Sequence, residues 1–234
     1  MEIFYAPGIK GNTFMLDEKE SKHCIRVLRM TKGTPVRLID GKGNLYEGFI
    51  SDPDQKKCMV TVSEVKPDYE KRSYRLHIAI SPLKNPLRFE WFIEKSVEIG
   101  VDLITPLVCK KSEKQSVRHE RTDNIIVSAM KQSLKALKPV LNEPVTFDRF
   151  IAQPEAGIRM IAHCRSSLNR IKISEVCRKD DDALIMIGPE GDFSDEEISD
   201  AVNAGFIPVH LGMSRLRTET AGIAACHSVY FINL

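Results

Sequence analysis

The spacing of apolar residues changes once along the chain, near residue 70. Before that point apolar and polar residues alternate in short runs, at residues 3–5, 13–16, 36–39, 45–50 and 58–65. A period of two predicts half-buried strands. Asp40-Gly41-Lys42-Gly43-Asn44 separates two of these runs and reads as a hairpin turn. One helical period interrupts them. Asp17 and Glu20 fit a capping box, and the pattern runs from there to Arg29. It places Lys19, Lys22, Arg26 and Arg29 on one side with His23 beside them, and Ser21, Cys24, Ile25 and Leu28 on the other. The side bearing the cations is either a basic ridge for a phosphate backbone or an ordinary solvated face. The polar stretch 66–72, which includes Pro67, marks a boundary. It divides the chain into a small β-rich domain, residues 1–70, and a larger one, residues 71–234.

In the second part strands and helices alternate. Residues 76–80, 102–108, 158–162, 183–187 and 208–211 are short apolar runs. Residues 87–99 form a helix closed by Gly100, with Phe89, Phe92, Ile93, Ser96 and Val97 facing inward. Trp91 falls on the polar side with Arg88, Lys95 and Glu98, where it covers a subunit contact, stacks on a base or packs at the helix edge. Thr122 caps a further helix reaching Leu137, before Pro139. Ser194, with Glu197 three residues on, starts another. The last begins near Thr218 and carries small residues at Ala221, Gly222, Ala224, Ala225 and Ser228. These suit close packing on a sheet or a subunit interface. The order of elements predicts an α/β domain with a mostly parallel sheet covered on both faces.

Two glycine turns leave strands in this part: Ile187-Gly188-Pro189-Glu190-Gly191-Asp192-Phe193, and Leu211-Gly212-Met213-Ser214-Arg215-Leu216-Arg217-Thr218-Glu219-Thr220-Ala221. At the same ends of neighbouring strands they form a crevice, where open α/β sheets hold ligands. Neither is a phosphate loop of the Gly-x-x-x-x-Gly-Lys or Gly-x-Gly-x-x-Gly type. Glu190 and Asp192 make the first turn acidic, which disfavours a polyphosphate. Glycine backbone can read the edges of an adenine, and carboxylates tolerate an ammonium or sulfonium. S-adenosyl-L-methionine is therefore permitted, though these features do not select it.

The net charge of +2 hides an asymmetry. Residues 180–204 hold nine acids and no Lys or Arg, so the remainder carries +11. A basic body around an acidic patch suggests a polyanionic partner. No apolar run approaches membrane length, and the N-terminus lacks a signal-peptide pattern. The six cysteines are scattered without a Cys-x-x-Cys pair, as in reduced thiols of a cytoplasmic protein, and no metal site is expected.

Gly-Pro-Glu-Gly at 188–191, followed by Leu-Gly-x-x-x-Leu-Arg-x-Glu-Thr-Ala at 211–221, resembles the signature of the bacterial small-subunit (16S) ribosomal RNA uridine-N3 methyltransferases, of the SPOUT class. The similarity covers nearly the whole chain. His23-Cys24-Ile25-Arg26-Val27-Leu28-Arg29 resembles the family's N-terminal RNA-binding motif. Lys84 with Glu94-Lys95-Ser96-Val97-Glu98-Ile99-Gly100-Val101 resembles its central one. The resemblance implies a PUA-like or OB-like N-terminal β-barrel that grips RNA. It implies a C-terminal α/β domain with a deep trefoil knot, a homodimer, S-adenosyl-L-methionine as cofactor, and 16S rRNA or the small ribosomal subunit as partner.

Carried over by residue, the cofactor would meet Ile187, Gly188, Glu190, Gly191, Leu211, Gly212, Met213, Leu216, Thr220 and Ala221. His163 and Cys164 would form a third wall, unless His163 is simply a satisfied buried histidine. Lys19, Lys22, His23, Arg26, Arg29, Lys84 and Arg88 would contact RNA. Two positions depart from the pattern. Asp192 stands where many members have a second glycine, and Met213-Ser214-Arg215 replaces a Pro-Arg-Ile type sequence. Arg217 is the candidate stabiliser of charge on the uracil. Glu219 is a base, an anchor for Arg217 or a helix cap, and water is an alternative proton acceptor. Two rival functions remain: a 2′-O-ribose RNA methyltransferase of the same class, and a non-catalytic RNA-binding assembly protein.

Overall fold

A computed structural model describes residues 2–153, 156–165 and 169–234. Contacts divide them into two compact units. One is the chain up to Lys71 together with Val127–Lys138; the other is Arg72–Ile126 with Pro139–Leu234. The sequence pattern places 127–138 in the second part, whereas contacts place it in the first.

In the first unit, β1 (Ile3–Tyr5), β2 (Thr13–Met15), β3 (Pro35–Ile39), β4 (Leu45–Asp52) and β5 (Met59–Lys66) form a five-stranded sheet in the order β1-β3-β4-β5-β2. Only β1 and β3 pair in parallel. Alternate residues, among them Phe4, Val36, Leu38, Ile50 and Val60, fill its core. The predicted long helix is shorter than its pattern. Helix α1 (Glu18–Lys22) starts at Asp17, whose Oδ1 accepts from the Glu20 N–H at 2.7 Å. It passes into a π-helical turn, His23–Val27, closed by Leu28 N–H donating to the His23 carbonyl at 3.0 Å. A π turn holds an extra residue, so side chains beyond it rotate out of the 3.6-residue register. Arg29 follows with φ +53 and leaves the helix altogether. Ser21 and Cys24 are buried as expected.

The stretch 127–138 belongs here through specific contacts. Lys131 pairs with Glu20 at 2.6 Å and lies over the Phe4 ring, and Lys135 pairs with Glu70 at 3.1 Å. Lys131 and Lys135 are thus partly spent on packing.

The second unit contains β6 (Leu76–Ile80), α2 (Pro86–Ile99), β7 (Leu103–Val108), α3 (His119–Ser133, shared with the first unit), β8 (Val140–Leu141), β9 (Val145–Thr146), α4 (Phe147–Ile151), β10 (Ile158–Ala162), β11 (Ile171–Lys172), α5 (Ile173–Val176), β12 (Ala183–Ile187), α6 (Asp195–Asn203), β13 (Ile207–His210) and α7 (Thr218–Ile232). Every strand pairing in it is parallel. All five residues of both β6 and β12 are buried, which explains their unbroken apolar runs. Ala79, Leu107, Ile161, Leu184 and Met186 face α4 and α6. On the opposite face α7 crosses so closely that a Cβ on Gly222 would lie 2.6 Å from Phe92 and 2.9 Å from Ile80. The small residues of α7 therefore serve packing at this point.

Three expectations change. Thr122 is buried inside α3 instead of capping it, and the helix stops where Leu134 turns left-handed at φ +60, before Leu137. The short elements β8, β9, α4, β11 and α5 were not foreseen. Finally, β12 and β13 are not neighbours: the order is β11-β13-β10-β12-β6-β7-β8, with β10 between them. Among the described residues no helix is long and apolar enough to cross a membrane.

Candidate active site

Because β10, β12 and β13 run parallel, the loops leaving their C-terminal ends gather on one edge of the sheet. They bound a cavity of about 1040 Å³. The wall after β12 is built by glycine. A Cβ on Gly188 would stand 3.0 Å from the fully buried Phe193 ring, so any side chain there would have to press the ring back into the core. The turn closes by Asp192 N–H donating to the Pro189 carbonyl at 2.9 Å. Asp192 has φ +61, a left-handed conformation that glycine adopts freely and that Asp tolerates better than most residues. Its carboxylate accepts from its neighbour's N–H, Phe193, at 2.8 Å and from Cys164 N–H at 2.8 Å. The aspartate thus ties the turn to the end of β10. Lys111 supports the turn from behind, donating to the carbonyls of Gly191 and Phe193 at 3.1 and 3.3 Å.

The wall after β13 turns at Gly212, φ +113, and enters α7 through Arg217. Thr218 Oγ1 donates to the Gly188 carbonyl at 3.1 Å and clips the two glycine turns together. Nothing local in the sequence marks Thr218, which stands between Arg217 and Glu219 and meets its partner 30 residues away.

Arg88 and Glu219 take different parts from those expected. Arg88 Nε and Nη2 donate to the two carboxylate oxygens of Glu219 at 2.7 and 2.8 Å, and Nη1 donates to Glu190. The Glu219 side chain is 7% exposed. A carboxylate with both oxygens held by a guanidinium is neither a ready base nor an anchor for Arg217. Arg88 also lines the cavity, and its guanidinium joins α2, the first glycine turn and α7. Lys84 is exposed and pairs with Glu113 at 2.9 Å.

Ile187, Gly188, Glu190, Gly191, Gly212, Met213, Leu216, Arg217 and Ala221 all line the cavity, as does Cys164. His163, Leu211 and Thr220 do not. His163 is buried behind Cys164, and its Nδ1 accepts from Arg165 N–H at 3.3 Å, leaving Nε2 without a partner among the described residues. Burial, followed by the nearby Arg170 and Arg165, outweighs Asp192 and lowers its pKa. The neutral ring is therefore favoured. Met213 is fully exposed at the cavity mouth. Arg165, Asn169, Arg170 and Arg215 also line the cavity. Only proximity in space reveals the first three, which follow an unremarkable strand in the sequence.

In the first unit Lys19, Lys22, Arg26 and Arg29 are exposed and His23 is half-buried. Lys22 pairs with Glu18 at 2.6 Å, and Arg26 donates to Gln55 at 2.7 Å. The cations are on the surface, but the π turn separates Arg29 from a common helical face.

The cavity fits a cofactor like S-adenosyl-L-methionine. It has open glycine backbone, apolar Ile187 and Leu216, and a half-exposed carboxylate at Glu190, and its volume lies at the upper end for small-molecule sites. Acidic on the β12 side and rich in arginine elsewhere, it defines an α/β enzyme that brings a small cofactor to an anionic substrate. Residues 70–230 match the model of the RNA methyltransferase domain, and residues 16–63 that of the RNA methyltransferase PUA domain. The chain belongs to this RNA methyltransferase family. It is 32% identical over 177 residues to ribosomal RNA small subunit methyltransferase E of Mesomycoplasma hyopneumoniae, covering 73% of this chain and 75% of that protein. A "probable rRNA-methyltransferase" from Porphyromonas gingivalis shares 41% identity and superposes with a TM-score of 0.93, covering 100% of this chain and 98% of that one. A Legionella pneumophila protein solved with bound SAM shares 29% identity at a TM-score of 0.88, covering 99% and 97%.

Proposed function

We propose that this protein methylates N3 of a uridine in 16S ribosomal RNA of the small subunit, with S-adenosyl-L-methionine as donor. The observation that carries this reading is the cavity over β10, β12 and β13, formed by both signature glycine turns within a chain of the RNA methyltransferase family.

Bound there, the cofactor supplies an electrophilic methyl group on a positively charged sulfur. The protein's task is to align uridine N3 with it and to ease loss of the N3 proton. Backbone at Gly188, Gly191 and Gly212 would hold the adenosine, with Ile187, Leu216 and Ala221 supplying the apolar lining. Glu190, which lines the cavity, would offer a carboxylate to the cationic end of the donor. Arg217 opens into the cavity and has no ion-pair partner among the described residues, so its guanidinium is available where charge spreads onto uracil O2 or O4. The proton leaves to solvent water, since Arg88 occupies Glu219 and two backbone N–H groups occupy Asp192.

The family's architecture belongs to the same proposal. Residues 1–70 act as a PUA-like β-barrel domain that grips RNA through Lys19, Lys22, His23, Arg26 and Arg29, aided by Lys84. Residues 71–234 form the SPOUT methyltransferase domain. A deep trefoil knot is supported by the strand order: the chain steps across β10 to reach β13, yet α7 returns to pack on α2, β6 and β12. Exposed Phe231 and Leu234 near the end of α7 support a homodimer, and the protein is expected in the cytoplasm.

The test compares small-subunit RNA from cells with and without the protein for N3-methyluridine by nuclease digestion and mass spectrometry. A mark at the ribose, or no difference, rejects the reading. With purified protein, Arg217→Ala should lower kcat while cofactor affinity holds. Loss of cofactor affinity with kcat intact would remove Arg217 from the chemistry.

A further inference from the structure

The cavity is electrically divided. On its β12 side the two lining carboxylates are already engaged, Glu190 by Arg88 and Asp192 by the N–H groups of Cys164 and Phe193. The arginines fare differently. Arg165 meets Asp195 at 3.0 Å. Arg170 donates to the His163 carbonyl at 2.6 Å, a neutral acceptor. Arg170, Arg215 and Arg217 have no carboxylate partner among the described residues, and all three line the cavity. Ser166, Ser167 and Leu168, between Arg165 and Arg170, bring no acid by sequence.

A methyl donor carrying a sulfonium, an ammonium and one carboxylate adds positive charge and so cannot balance three guanidinium groups. The basic side therefore calls for an anion that comes with the substrate. In RNA that anion is the phosphodiester on either side of the target nucleotide. Such contacts also suit the geometry of modification, because a base presented for chemistry must leave its stack and needs compensating contacts elsewhere. Guanidinium suits the task, since its planar fork matches two phosphate oxygens.

Building on the function proposed above, we infer that Arg170 and Arg215 form a phosphate clamp. Arg170, just before β11, and Arg215, in the turn after β13, hold the phosphates flanking the target uridine and leave Arg217 for its base. The clamp is distinct from the basic residues of α1 and its π turn, which lie in the other unit.

The test titrates uridine and uridine 3′,5′-bisphosphate into the intact protein saturated with S-adenosyl-L-homocysteine, so that no methyl transfer occurs. Wild type should prefer the bisphosphate by about tenfold or more, the scale of charge-assisted phosphate contacts. Arg170→Gln and Arg215→Gln should each reduce that preference about fivefold, with affinity for uridine and for S-adenosyl-L-homocysteine held within about twofold. Retained homocysteine binding also shows that the variants fold. With small subunits lacking the mark as substrate, both variants should raise KM more than they lower kcat. Wild type with no preference for the bisphosphate, or a preference that survives both substitutions, overturns the clamp. So does a matching fall in homocysteine affinity, which would assign the arginines to the cofactor carboxylate. Failure of wild type to bind S-adenosyl-L-homocysteine at all would instead defeat the proposed function.

Discussion

Removing the guanidinium of Arg88 should do more damage than removing its partner. Arg88→Met keeps the aliphatic stem and strands Glu219, whose side chain is 7% exposed and loses both of its charge-assisted bonds, at 2.7 and 2.8 Å. An uncompensated buried charge of this kind costs about 3–5 kcal/mol. The Arg88 side chain is 26% exposed, so water can enter part of the vacated space. That discounts the cost to about 2–3 kcal/mol. For a protein of this size the loss lowers Tm by roughly 4–12 °C. Glu219→Gln leaves a neutral amide that still accepts from Arg88, which also keeps Glu190, and should cost about 1 kcal/mol. Combining the two substitutions removes the stranded charge, so the double variant should be more stable than Arg88→Met alone, with a coupling of about 1–3 kcal/mol. Urea unfolding of the four proteins measures the cycle. The same series should weaken cofactor binding, because Arg88 holds α7 and the first glycine turn in register. Single losses below about 0.5 kcal/mol that simply add would refute a buried, structurally committed pair.

Three further outcomes follow from local geometry. Gly222→Ala places a methyl 2.6 Å from the fully buried Phe92 ring and should destabilise by about 1–3 kcal/mol; an unchanged denaturation midpoint would mean that α7 can shift freely on the sheet. Burial holds the His163 pKa below that of the unfolded chain, so the unfolded state takes up the proton first and stability falls as pH drops below about 6.5. His163→Gln should flatten that part of the profile, and an identical loss between pH 7 and pH 5 in both proteins would exclude the histidine as its source. Asp192→Ala loses two side-chain bonds and keeps an unfavourable positive φ, whereas Asp192→Gly loses the bonds but relaxes the backbone. Cofactor affinity should rank wild type, then Gly, then Ala, with about tenfold between the ends; Ala equal to wild type would show that the tie to Cys164 is idle.

The limits of the sequence reading follow from the range of the forces concerned. Strands such as Leu76–Ile80 and Ala183–Ile187 were legible because burial on both faces demands an unbroken apolar run. The capping box at Ser194 and Glu197 was legible because both partners lie within one turn, and both of its bonds are present. Arg88 could not be read in the same way. It occupies the polar side of α2, and the two acids that define it are 102 and 131 residues distant. Spacing identifies a helix face but not which charges reach it. Thr218, Arg165 and Arg170 were missed for the same reason.

The position of β10 between β12 and β13 has a chemical consequence. Inserting β10 adds the loop after it to the same cavity, so that Arg165 and Arg170 line it with Arg215 and Arg217. The donor's adenosine needs only the glycine turns. The arginines become intelligible when the opening must also receive a nucleotide with its phosphates attached. Strand order, which hydrophobic periodicity does not encode, thus gathers these loops at one opening, and under the proposed clamp that opening takes a nucleotide beside the donor.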